Sequence, residues 1–353
     1  MDAYHIALEE GNVSYLDTQA PYFDGGSGTI WEHIKQSIRF TTQNMGAHGF
    51  PLMLSSDWND MLYKVCRKGK GESIWTGMQF AVALRMMQEL AERKGEPEFA
   101  EECKALYARQ QELCRTLAWD GAWFRRCITD EGRFIGSESQ AKIWLNTQSW
   151  AVLSDLGTQE QQIQAMDSVK EYLDTDLGIK KIHPAMTTDY PTKEENLTCY
   201  NKGCGENGSV FCHANTWAII AECMLKRPEN AWKYYHQLLP MIAQKTAGAE
   251  RYKAEPYVYS SNIFGPESDK FGLANVSWLT GTAAWMYLAA TQYLLGVRPT
   301  WDGLEIEPCL PEHLLPAKVT RIFRGCRYEI TITKNQKLLL PHVDGRKQLT
   351  VQV

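Results

Sequence analysis

The feature that most limits how this chain can fold is a recurring pair of helical segments broken by polar, glycine-containing loops, running from about residue 29 to about residue 295. Ser73 followed by Ile74, Met78, Ala81, Val82, Met86 and Leu90 predicts a capped helix with one apolar face, and Pro97 opens the next helix toward Leu117. Two such helices in succession form a hairpin. Similar pairs follow, Thr147 to Leu156 with Gln159 to Leu173 and Gly208 to Leu225 with Pro228 to Lys245, before a last helix from Thr280 to Leu295 that stops at Gly296. Paired helices with long intervening loops predict a mainly α architecture, an (α/α) barrel or toroid whose loops build a cleft at one end. After Pro299 the texture changes. GLEIEPCLP, VTRIFRGCRYEITIT and KQLTVQV alternate apolar with polar residues and read as strands, with turns at Asp302-Gly303 and Asp344-Gly345. The expected organisation is a helical body over residues 1–298 and a small C-terminal β-element over 299–353, with no low-complexity linker between them.

A 353-residue chain that is 44% hydrophobic can bury a large core. Its 37 basic and 42 acidic residues give a net charge of −5 and are mixed along the chain, which argues against a nucleic-acid partner. The N-terminal MDAYHIALEE lacks the basic and apolar regions of a signal peptide, and no apolar run is long enough to span a bilayer. A cytoplasmic location is therefore expected, with no membrane contact. The ten cysteines are dispersed with no CxxC pair, so reduced thiols are expected. Cys199, Cys204, Cys212 and His213 come nearest to a ligand cluster, but their spacing fits no common zinc pattern and no metal is expected. The 12 Trp and 16 Tyr, several beside polar residues, suit stacking on the C–H faces of sugars, although most must serve as core.

Three stretches hold chemistry. SSDWNDM sets Asp57 and Asp60 around Trp58, and an indole beside a carboxyl offers both a sugar-stacking face and a wall of low polarity. An Asx turn or N-cap is the alternative for such a pair. In GENGSVFCHANTW, Glu206 and Asn207 lie in a Gly-flanked loop and His213 sits in the first turns of a helix beginning near Gly208, where an anion could be met. A core histidine satisfied by a carbonyl accounts for it equally well. In NVSWLTGTAAW, Thr280, Gly281 and Thr282 begin a helix, which suits phosphate, or else Thr280 simply caps it.

Taken together, DWND, ENGSVFCHANTW, EPYVY, WLTGTAAWMY and the closing W-DGLEIEPCLP, with GESIWTG at 71–77, resemble the glycoside hydrolase family 94 phosphorylases, the group that includes cellobiose and chitobiose phosphorylases. The resemblance covers essentially the whole chain. It implies an (α/α)6 toroid, inverting phosphorolysis of a β-glucosidic sugar to α-glucose 1-phosphate plus the released sugar, inorganic phosphate as co-substrate with no other cofactor, and a cytoplasmic homodimer. By motif position Asp60 resembles the general acid. Trp58 resembles a residue lining the subsite of the transferred sugar, Tyr200 one of the acceptor subsite, and Glu206 joins them as a sugar-binding candidate. His213, Thr280 and Gly281 resemble phosphate ligands. Gly205 stands where cellobiose phosphorylase leads one to expect Lys, which argues against cellobiose itself. The family also carries a large N-terminal β-sandwich, a linker and the first barrel helices, so this chain is expected to be a C-terminal catalytic portion, lacking its first helices, or to act with an N-terminal partner segment.

The implied mechanism needs no general base, because phosphate is already an anionic nucleophile held opposite the leaving oxygen. Two rivals remain: an inverting hydrolase on the same toroid, for which Glu255 and then Glu206 are the candidate bases, and a truncated, non-catalytic carbohydrate-binding portion. The phosphorylase-like module of cyclic β-1,2-glucan synthases is a further variant within the family.

Overall fold

The computed structural model describes residues 2–191, 197–343 and 345–353. Among them are eleven α-helices: α1 (Asp2–Glu10), α2 (Ile30–Gln43), α3 (Ile74–Lys94), α4 (Pro97–Leu113), α5 (Leu145–Leu153), α6 (Gln159–Tyr172), α7 (Cys212–Met224), α8 (Pro228–Leu238), α9 (Pro240–Ala247), α10 (Ala249–Tyr252) and α11 (Thr282–Leu288). Local chemistry sets several starts. Thr29 with Glu32 and Thr158 with Gln161 form capping boxes at α2 and α6. Pro228 and Pro240 open α8 and α9, where a missing N–H costs nothing.

The backbone divides into two compact units, one of Met1–Met45, Phe80–Arg109 and Thr291–Val353, the other of Gly46–Gln79 and Gln110–Ala290. In the second unit α5 packs on α6 and α7, and α7 packs on α8 and α11. Eight of the nine residues of α5 and eleven of the thirteen of α7 are buried, so both helices are enclosed on all sides. By contrast α8 buries only Ala231, Tyr234 and Leu238. Enclosed helices thus alternate along the chain with half-exposed ones.

Each of α3, α5 and α7 begins directly after a two-residue strand, Glu72–Ser73, Ile143–Trp144 and Val210–Phe211 respectively. Glu72–Ser73 pairs antiparallel with Cys127–Ile128, Ile143–Trp144 with Ile182–His183, and Val210–Phe211 with Ser260–Ile263, which pairs in turn with Ala274–Ser277. These short ladders fix the first residue of each enclosed helix and gather the polar loops beside it. Met53, Met61, Leu62, Trp144, Ile182, Met186 and Leu197 form a buried cluster beneath those loops, with Tyr200 packed against it.

In the first unit Trp31, Phe80, Leu84, Leu90 and Phe99 form a core that Trp301 joins. Two three-stranded sheets lie in this unit. Val297–Pro299, Gly303–Ile306 and Leu338–Pro341 pair antiparallel, while Ala317–Phe323 and Cys326–Ile332 form a hairpin to which Gln348–Gln352 adds in parallel. Arg324 ties this β-element to the helices by donating to the carbonyls of Leu8 at 2.7 Å and Thr300 and Trp301 at 2.9 Å.

Some expected boundaries move. The helix placed near Gly208 begins at Cys212, because Val210–Phe211 is drawn into a ladder. The segment from Pro228 to Lys245 is two helices, since Pro240 cannot continue the ladder of α8. The final helix starts at Thr282, not Thr280, and passes into a π-helical turn over Ala289–Leu294. An early helix, α1, precedes the expected start of the helical pattern. Asp344 of the expected Asp344-Gly345 turn lies outside the described residues.

Candidate active site

The loop bearing DWND is held from below by a buried network of charges. The Asp57 side chain is inaccessible and ion-paired with the equally buried Arg126. Its Oδ1 also accepts the Asn59 N–H at 2.9 Å, an Asx turn, and its Oδ2 accepts the Ser73 hydroxyl at 2.6 Å. Arg126 donates further to Asn59 Oδ1 at 2.7 Å and Ser73 Oγ at 3.2 Å, and lies over the rings of Trp75 and Trp144. A second carboxylate, Glu206, reaches the same loop from the Gly-flanked turn before α7. Its Oε1 accepts from Asn59 Nδ2 at 2.9 Å and from Lys181 Nζ at 2.5 Å, and its Oε2 accepts the Met61 N–H at 3.0 Å. Asp60 stands between Asn59 and Met61, exposed at the start of the 3-10 turn Asp60–Lys64. The two aspartates of the motif therefore differ in kind: Asp57 is structural, and Asp60 is presented to solvent on a fixed backbone.

Trp58 links this loop to α7. Its ring is 37% exposed and packs edge-on to His213 at 5.5 Å and to Phe211 at 5.5 Å, and tilted against Trp217 at 5.1 Å. His213 is the second residue of α7, and its Nε2 is buried without a hydrogen-bond partner among the described residues. Burial, aided by the Lys181 charge, pushes its pKa down to about 4, so the imidazole is neutral at ordinary pH. The Ser260–Ile263 and Ala274–Ser277 ladder returns the chain so that Gly281 lies against this ring. A Cβ at 281 would stand 2.8 Å from His213 Cε1 and 3.1 Å from Nδ1. Thr280 Oγ1 accepts the Thr282 N–H at 3.2 Å and shares a 2.6 Å hydrogen bond with the Thr282 hydroxyl. Trp58, His213 and Gly281, taken from three distant strings of sequence, thus meet in one place, with Thr280 next to it.

Tyr200 belongs to the Asp60 and Glu206 side of this region. Its phenol is raised by burial first and then by the charges of Glu206, Cys199 and Asp60. Gly205 has φ +54°, and a Cβ there would stand 2.8 Å from Tyr200 Cδ1 and Cε1, so the ring rests directly on the glycine backbone. Glu255 accepts a hydrogen bond from Trp278 Nε1 at 3.2 Å. Its carboxyl is held below the usual range by its own backbone N–H, then Trp278 and Ser277.

Sequence reasoning passes over Arg126 and Lys181, two cations that are wholly buried. The signal available is slight: each is the second of a doubled basic pair in an apolar setting, WFRRCI and GIKKIH. Among the described residues no group of three or more His, Cys, Asp or Glu is placed to hold a metal, and Cys199, Cys204, Cys212 and His213 form no such group. No helix among them is long and apolar enough to cross a membrane.

Comparison with known proteins gives this geometry a family. A solabiose phosphorylase from Paenibacillus borealis is 36% identical over 347 residues, which is 97% of this chain and 44% of the relative. An N,N'-diacetylchitobiose phosphorylase from Vibrio proteolyticus is 36% identical over 330 residues, 92% of this chain and 40% of the relative. The cyclic β-(1,2)-glucan synthase NdvB of Rhizobium meliloti is 32% identical over 98% of this chain and 12% of its own length. The chain spans less than half the length of these relatives. A sialidase of known structure superposes with a TM-score of 0.56 at 10% identity, over 80% of this chain and 25% of that chain, a likeness of fold alone. Residues 2–296 match the profile described as the glycosyl hydrolase 94 superfamily, catalytic domain, and the chain belongs to that superfamily.

Proposed function

We propose that this chain is the catalytic portion of an inverting phosphorylase that cleaves a β-glucosidic disaccharide or oligosaccharide with phosphate, giving α-glucose 1-phosphate and the shortened sugar, reversibly. Asp60 acts as general acid and gives its proton to the glycosidic oxygen as that bond breaks. A phosphate oxygen attacks the anomeric carbon from the opposite face, which inverts its configuration. His213, Thr280 and Gly281 hold the phosphate, Trp58 lines the subsite of the transferred sugar and Tyr200 that of the acceptor, with Glu206 a further sugar-binding residue. Phosphate is a co-substrate, and the reaction calls for no metal or other cofactor.

The observation that carries this reading is the juxtaposition of the His213 imidazole, its Nε2 buried and unpartnered among the described residues, with the Gly281 backbone and the Trp58 ring. A neutral imidazole N–H in a place of low polarity is a strong donor to a phosphate oxygen. A hydrolase needs instead a free carboxylate to activate water. The nearby acids do not favour that alternative: Asp57 is paired with Arg126, Glu206 with Lys181, and Glu255, held below its usual range, is a weak base. The names of the relatives, phosphorylases of solabiose and N,N'-diacetylchitobiose, agree with the reaction class. Alternating enclosed and half-exposed helices suit an (α/α)6 toroid. The ten free thiols suit a reducing cytoplasm.

The test is incubation with α-glucose 1-phosphate and a panel of acceptor sugars, following phosphate release. Release that depends on an acceptor is expected, and Asp60→Asn should abolish it while leaving the unfolding midpoint unchanged. Sugar release independent of phosphate favours the hydrolase, and near-normal turnover by Asp60→Asn removes Asp60 from its role.

A further inference from the structure

We infer that Lys181 is a positioning residue for the general acid: through Glu206 it clamps the backbone on both sides of Asp60. This rests on the phosphorolysis reading for its functional consequence, though not for its geometry. Lys181 is wholly buried, and its ammonium donates to Glu206 Oε1 at 2.5 Å. It also lies 3.9 Å from the centre of the Phe211 ring and 4.4 Å from that of Trp58, so two aromatic faces replace the water it has lost. A lone ammonium in this place would be expensive, and burial does push its pKa down, with Glu206 opposing.

What the clamp holds is specific. Glu206 accepts from the Asn59 side chain and from the Met61 N–H, the two residues flanking Asp60. Asn59 is held further by Arg126 at 2.7 Å, and Asp57 by Arg126 and Ser73. Asp60 therefore projects from a segment whose other carboxylate and amide side chains, Asp57 and Asn59, are hydrogen-bonded from beneath, and Lys181 fixes a carboxylate that reaches both of its neighbours. The same ammonium faces Trp58 and contributes to keeping His213 neutral. One buried cation thus orders the segment carrying the acid and favours the uncharged state of the phosphate-side imidazole.

The experiment compares Lys181→Met with the double variant Lys181→Met/Glu206→Gln, which removes both charges and keeps an acceptor at 206. Two readouts are followed, exchange of the Met61 amide by NMR and acceptor-dependent phosphate release from α-glucose 1-phosphate. In both variants, with the fold kept, Met61 exchange should rise at least about tenfold, since the clamp and not the charge balance protects it. Turnover should fall about 100-fold with KM for glucose 1-phosphate changed far less, as expected when a reacting group is misplaced by about 1 Å. Unchanged exchange in Lys181→Met overturns the inference. So does recovery of exchange and turnover in the double variant, which would make Lys181 a mere counter-ion. Failure of the double variant to fold also overturns it, by making Lys181 part of the fold and not of the site. Absence of turnover in the unaltered chain would sink the phosphorolysis reading alone, leaving the exchange measurement to decide on the clamp.

Discussion

Glu222 offers a quantitative test of the enclosed character of α7 that requires no substrate. Its side chain is fully buried, Oε1 has no hydrogen-bond partner among the described residues, and Oε2 accepts only a long 3.4 Å bond from Asn230. Arg227 is 3.8 Å away but is engaged more closely by Asp167 at 2.7 Å. Burial raises the carboxyl from 4.5 to about 7, with Arg227 and Asn230 opposing. A folded pKa above the unfolded one means that the native state binds the proton more tightly. The resulting stability is complete below about pH 4.5 and is lost as the pH rises through about 7. Across about pH 5 to about pH 8 the loss integrates to roughly 2–3 kcal/mol. Glu222→Gln keeps the shape and removes the charge. Urea unfolding followed by Trp fluorescence should give nearly equal stabilities for the two proteins at about pH 5, with the variant more stable by roughly 2 kcal/mol at about pH 8. Groups common to both proteins cancel in the difference. Parallel pH profiles, or a variant less stable at the higher pH, would refute the claim that a carboxyl is buried there without adequate compensation.

Two glycines give sharper steric tests. Gly281→Ala has an ordinary backbone angle to accommodate, φ −73°, so its Cβ acts only by crowding the His213 ring. KM for phosphate should rise about tenfold or more with stability nearly unchanged, as steady-state kinetics and thermal unfolding would register. Gly205→Ala combines a left-handed φ of +54° with a Cβ against Tyr200. It should cost about 1–2 kcal/mol in urea unfolding and raise KM for the acceptor sugar while sparing that for glucose 1-phosphate.

Helices were legible in this sequence wherever an apolar face and a start signal coincide. The Ser73, Pro97 and Gln159 helix starts and the strands after Pro299 all lie close to their expected places, because the information is local. Boundaries decided by pairing between distant segments were not. Val210 and Phe211 continue the apolar pattern of α7, and pairing with the distant Ile263 and Asn262 turns them into a strand. Within the site, DWND and FCHAN stood out because unusual residue types sit close together, and the structure sets Trp58 and Gly281 each against His213. Arg126 and Lys181 had no such mark.

The reason those two cations stay hidden also explains how the site is arranged. Each carboxylate beneath the acid loop has its own buried cation, Asp57 with Arg126 and Glu206 with Lys181, contributed by segments far apart in the chain. Removing either cation would leave a buried charge unpaired at a cost of about 3–5 kcal/mol. Such pairs are weak sources of net stability, yet their directional hydrogen bonds hold Asn59 and the Met61 amide in one geometry that an apolar core could not specify. Asp60 lies outside both pairs and is exposed. In the proposed phosphorolysis the nucleophile arrives already charged, so what these residues would supply is a proton donor on an ordered backbone and an uncharged imidazole where a phosphate oxygen can meet it.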